Sequence, residues 1–332
     1  MRQPNALRSI GLSTLAALAL VGCEDGTRGF FSSSVPTRTT GYVSVNDSPA
    51  SNAPNATTNP VLQLDTDVPN IRREYGPGAN EGILADSIGS LLRAGDANSV
   101  NEVRFFRNPQ RRPNADNFSG RSDRLIGQAS TGFSGNKGIA IAHRERYLFV
   151  AESGANEVSI LGTQSDGSSA PLVVLSTSAK PWDIVYDAAN DRLYVALVSA
   201  GIDVFTSVRS NIEAATTGGI QGTRLTATVT GVSRFHGITL DGPSDKLVLT
   251  DIGATTNAGE DGALVVVSNA KTLAAGAVPA SDTFILKGTL SRLNTPVDVV
   301  IDADGRALVA DKFNRVLISD TKNRVSHGAV LV

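Results

Sequence analysis

Cysteine occurs once in the 332 residues, at Cys23, so no disulfide can form within the chain, and the fold has to rest on core packing. Histidine occurs three times, as His143, His236 and His327, with no HExxH or HxxxH spacing, so the sequence offers no preformed zinc motif. There is one tryptophan, Trp182, and aromatic residues make up only 5% of the chain. Lysine and arginine number 30 against 32 acidic residues, a formal charge of −2. That balance excludes nucleic acid as a partner, because a polyphosphate demands a concentrated basic face. The apolar stretch Ile10 to Leu20 is eleven residues long, too short for a spanning helix of about 20. Glycine, by contrast, is plentiful at 32, the mark of many tight turns between short strands.

The N-terminus carries the most specific signal. Arg2 and Arg8 precede the apolar stretch, the order of a positive region and a hydrophobic region in a secretory signal peptide. Leu20-Val21-Gly22-Cys23 follows and resembles the lipobox of bacterial lipoproteins. The resemblance implies cleavage before Cys23, lipidation of its thiol and anchoring in the cell envelope. More than one acyl chain makes such an anchor durable, since each buried CH₂ contributes roughly 0.8 kcal/mol. Glu24 and Asp25 leave inner and outer membrane both open. Between Ser32 and Pro60, 19 of 29 residues are Ser, Thr, Asn or Pro, a composition that buries too little apolar surface to offset the entropy of ordering. The expected organisation is a signal peptide over 1–22, a lipidated Cys23 with a flexible linker to 80, and a folded domain over 81–332. Val61-Leu62-Gln63-Leu64 alternates and is a candidate strand within the linker.

Internal repeats define the domain. Lys137-Gly138-Ile139, Pro181-Trp182-Asp183-Ile184, His236-Gly237-Ile238 and Pro296-Val297-Asp298-Val299 each open a strand, spaced 44 to 60 residues apart. A second apolar strand follows each, such as Arg192-Leu193-Tyr194-Val195-Ala196, then a third, such as Ala263-Leu264-Val265-Val266-Val267. A fourth, more variable strand closes the first three units. Four short antiparallel strands per repeat make a propeller blade. Glu102-Val103-Arg104-Phe105-Phe106 and Arg124-Leu125-Ile126-Gly127 read as outer strands of one further blade. The expected fold is all-β, a β-propeller of five or six four-stranded blades, closed by Val61–Leu64 or by Ala329–Val332. Val150-Ala151-Glu152-Ser153-Gly154-Ala155-Asn156-Glu157-Val158 and Val309-Ala310-Asp311-Lys312-Phe313-Asn314-Arg315-Val316 resemble NHL-type and YVTN-type repeats. Ala196-Leu197-Val198-Ser199 departs from that pattern by lacking the acid.

The starts of the inner strands converge on one rim of a propeller, so Lys137, Trp182, Asp183, His236 and Asp298 form the candidate binding site. Asp183 and Asp298 hold the same place in their repeats and have two readings, ligand contact or a brace between blades. Asp187, Asp241 and Asp302 end inner strands and read as turn residues; Glu152 and Asp311 read as loop braces. The loop Gly253 to Gly262 does not match the spacing of an EF-hand. The sequence therefore favours an anchored platform for an envelope protein or glycan, with no cofactor and no catalytic residues. The alternative is a metal-dependent hydrolase or lyase acting in the channel through His236.

Overall fold

The computed structural model describes residues 132–215, 223–254, 261–291 and 293–301, and elsewhere the segments 15–21, 40–45, 61–65, 70–75, 82–85, 90–95, 101–107, 124–127, 305–311, 315–320 and 325–331. Six sheets follow one another along the chain. The first holds β1 (Leu15–Val21), β2 (Thr40–Val45), β3 (Val61–Asp65) and β4 (Asn70–Tyr75), and the second β5 (Gly82–Ala85), β6 (Ser90–Gly95), β7 (Glu102–Arg107) and β8 (Arg124–Ile126). In the third are β9 (Asn136–Ala142), β10 (Tyr147–Glu152), β11 (Glu157–Gly162) and β12 (Val173–Ser176). The fourth comprises β13 (Pro181–Asp187), β14 (Arg192–Leu197), β15 (Gly201–Thr206) and β16 (Arg224–Thr228), with helix α1 (Val208–Ala215) before its last strand. The fifth has β17 (Phe235–Asp241), β18 (Lys246–Asp251) and β19 (Ala263–Ser268); β20 (Gly276–Ala277) then leaves it, and β21 (Thr283–Lys287) completes it. The sixth contains β22 (Pro296–Ile301), β23 (Arg306–Asp311), β24 (Arg315–Asp320) and β25 (Val325–Leu331). Each innermost strand lies beside that of the next sheet, and β22 returns to β1. The chain is an all-β propeller of six blades.

Blade stacking explains the sequence of the second and third strands. Each blade is covered on both faces by its neighbours, so these strands are near-continuous apolar runs rather than alternating ones. In β14, Leu193, Val195 and Leu197 pack with Phe149, Val158 and Ile160 of the third blade. Tyr194 and Ala196 point the other way, to Leu247, Leu249 and Val265 of the fifth. The core is thus a series of apolar layers between blades. Connections between third and fourth strands reach back and latch the preceding blade. The Gly167 backbone exchanges hydrogen bonds with Gly127 N–H (2.8 Å) and Leu125 C=O (2.7 Å) of the second blade. Val208 and Ile212 of α1 pack with Phe149 of the third. β20 pairs in parallel with β16, while the Tyr194 hydroxyl donates to Ala270 C=O at 2.9 Å.

The first sheet differs from the sequence reading. Strand backbone begins at Leu15, inside the stretch read as a leader, and β2, β3 and β4 fall within the stretch read as a linker. An apolar run of this length fits an export leader and an inner strand equally well, which is why periodicity alone does not separate them. The Val61–Leu64 alternation does become strand β3. β25 supplies the fourth strand of the sixth blade. Cys23 lies outside the described residues.

Candidate functional site at the inner rim

Every inner strand from the third to the sixth blade carries one extra residue near its start. The register breaks opposite Lys137–Gly138 in β9, at Trp182 in β13, opposite His236–Gly237 in β17 and at Val297 in β22. A bulge of this kind re-aims side chains and leaves backbone unpaired. Here it brings three predicted residues into contact around the axis. The Lys137 ammonium lies 4.5 Å from the centre of the Trp182 ring. Trp182 and His236 have ring centres 4.5 Å apart, tilted by 49°. His236 Nδ1 in turn meets the C=O of Val297. Side chains of the third, fourth and fifth blades and a carbonyl of the sixth therefore form one continuous line. Lys137 is buried, and Trp182 and His236 are half-buried. The indole nitrogen of Trp182 is buried with no hydrogen-bond partner.

Asp183 and Asp298 stand beside this line and serve the ring. Asp183 accepts the N–H of Ile184 and, across to the fifth blade, the N–H of Ile238, both at 2.9 Å. Asp298 accepts the N–H of Val299 at 2.7 Å. Glycine in the preceding blade makes room for each: a Cβ on Gly237 would stand 2.6 Å from Asp298 Cα, and one on Gly138 would overlap the Asp183 carboxylate. Burial pushes the Asp183 carboxyl up to about 7, with the two backbone donors pulling the other way.

A second set of acids fixes the loops that enter the inner strands. Glu152 accepts Ser134 N–H at 2.8 Å. Asp251 takes those of Ser233 and Arg234 at 3.1 and 2.8 Å, and Asp311 those of Asn294 and Thr295 at 2.8 and 3.2 Å. The fourth blade, which lacks the acid at Leu197, uses Asp203 of β15 instead. Its carboxylate accepts Ser178 N–H (2.6 Å), Ser178 Oγ–H (2.7 Å) and Thr226 Oγ1–H (2.6 Å). The only trace of that role in the sequence is a single charge within the apolar run Gly201–Phe205; the structure shows it fully buried. Asp187 caps its turn as expected, accepting the N–H groups of Ala189 and Asn190; Asp302 lies outside the described residues. Asp261 closes its loop by accepting Ala254 N–H at 2.9 Å. Among the described residues, no three His, Cys, Asp or Glu side chains are grouped to hold a metal ion.

No protein-family model and no curated protein matches the sequence. Solved structures do match in shape. A chain of a nidogen/laminin complex is similar with a TM-score of 0.58 at 14% identity, covering 83% of this chain and 91% of that one. A Bacteroides uniformis protein assigned as a 6-phosphogluconolactonase gives a TM-score of 0.55 at 14% identity, covering 95% and 85% respectively. At this identity the likeness establishes the β-propeller architecture and carries no activity with it.

Proposed function

We propose that the protein is a lipid-anchored lipoprotein of the bacterial cell envelope whose propeller is a binding platform for a protein or glycan partner. The lipobox-like Leu20–Cys23 supports the anchor. The observation that carries the platform reading is the line Lys137, Trp182, His236, three unlike side chains aimed by bulges at the same place in successive blades. Tryptophan supplies large apolar area and one donor, and is enriched at binding hot spots. The carboxylates beside it accept backbone N–H groups, a commitment that suits a scaffold better than acid–base chemistry. Related architecture occurs both in a nidogen/laminin complex and in a protein assigned as a lactonase, so the choice rests on the rim.

The test is capture from envelope extract by the full chain and by Trp182→Ala. Loss of one specific partner with an unchanged melting temperature supports the platform, and equal capture by both rejects this rim. Stoichiometric metal on the purified protein, lost in His236→Ala, would instead support the metal-dependent hydrolase or lyase.

A further inference from the structure

Trp182 is flanked from both neighbouring blades, by the Lys137 ammonium of the third and the His236 ring of the fifth. Both contacts are made to the ring itself, and the place over it for a cation is taken by Lys137. What the indole still offers is its edge, where Nε1–H is buried without an acceptor. A buried donor left unpaired is costly, so an acceptor brought there is strongly favoured. Over the same ring lies the Lys137 ammonium, 4.5 Å from its centre. A donor next to an ammonium selects an anionic oxygen, and the hydrogen bond is then charge-assisted.

We propose that the rim binds a carboxylate between the Lys137 ammonium and the indole N–H of Trp182. Lys137 has a flexible four-carbon stem, and it swings off the ring to admit the ligand and follow its charge. Asp183 and Asp298 do not oppose this strongly, because their oxygens accept backbone N–H groups and burial favours the neutral form of Asp183. His236, held at Nδ1 by Val297 C=O, backs the indole and keeps its edge in place. This inference rests on the platform reading and names the chemical group that the platform takes.

Trp182 is the sole tryptophan, so fluorescence of the full chain under tryptophan-selective excitation reports on this site alone. The protein is titrated with glucuronate, acetate and glucose at constant ionic strength. A saturable change with glucuronate and acetate but not glucose supports recognition of any small carboxylate. A change with glucuronate alone supports a sugar acid. Trp182→Phe and Lys137→Met, followed by calorimetry with circular dichroism to confirm folding, are each expected to weaken binding about tenfold or more, the scale of a lost charge-assisted bond. Glucose acting like glucuronate, no response to either carboxylate, or folded variants that bind as wild type overturns the proposal. A protein partner lost in Trp182→Ala but not displaced by carboxylates overturns it while leaving the platform standing.

Discussion

Asp183 in the fourth blade accepts the backbone N–H of Ile238 in the fifth at 2.9 Å, joining two strands that are 55 residues apart in sequence. The bond lies at the inner rim, between the adjacent inner strands β13 and β17. Removing the carboxylate leaves that amide unsatisfied in a buried place. Asp183→Ala is expected to lower stability by about 1–3 kcal/mol, measured by urea unfolding. Asp183→Asn, which keeps an acceptor, should lose less than half of that.

The pH dependence of stability follows from two buried carboxyls. Burial pushes Glu152 up to about 7 against the opposing hydrogen bonds from Ser159 and Ser134, and Asp183 likewise to about 7. Between the ordinary carboxylate values near 4 and these raised ones, the folded chain holds more protons than the unfolded chain. Their contribution is therefore most favourable on the acid side and is lost as pH rises from about 4.5 to about 7. The free energy of unfolding should be higher near pH 5.5 than near pH 7.5, by roughly 1–3 kcal/mol for the pair. The double variant Glu152→Gln with Asp183→Asn should flatten that slope, and an unchanged slope would refute the assignment.

The repeats were legible in sequence because the second and third strands of each blade, buried on both faces, leave long apolar runs such as LYVAL at 193–197. The rim was legible as positions but not as contacts. Lys137, Trp182 and His236 meet only because each inner strand carries an extra residue, and a bulge leaves no mark in hydrophobic periodicity. The Gly138–Asp183 and Gly237–Asp298 pairs were likewise hidden, since each joins residues 45 or 61 positions apart. Asp203 replaces the acid missing at Leu197 from a different strand, which no alignment of repeats would reveal. The first sheet was least legible, its first strand lying in an apolar run that reads equally as a leader and its second and third in Ser-, Thr- and Asn-rich chain.

Anchoring gives a direct prediction. Cys23 is the sole cysteine, so on the proposed lipoprotein reading Cys23→Ala expressed in a bacterial envelope should yield no processed membrane-bound form. Mass spectrometry of the wild-type N-terminus should find a lipidated Cys23. Cleavage before Cys23 would also remove Leu15–Val21, the segment that forms β1, so the first blade of such a mature form would keep β2, β3 and β4. Recovery of Cys23→Ala as a processed, membrane-anchored protein would contradict the lipoprotein reading.

The close approach of neighbouring inner strands is tested by two glycines of one strand–turn unit. A Cβ on Gly237 would lie 2.6 Å from Asp298 Cα, 2.8 Å from its Oδ1 and 3.1 Å from Thr250 Oγ1, whereas one on Gly242 meets nothing within 4 Å. Gly242→Ala is therefore expected to change stability by no more than about 0.5 kcal/mol. Gly237→Ala forces the fifth and sixth blades apart and should cost about 1–3 kcal/mol, as overpacking does. Because the nearest atom belongs to the backbone, trimming the neighbour in the double variant Gly237→Ala with Asp298→Ala should restore little. If the double variant recovers wild-type stability, side-chain crowding rather than backbone contact sets the spacing. Equal effects of Gly237→Ala and Gly242→Ala would mean that the blades do not meet at this point.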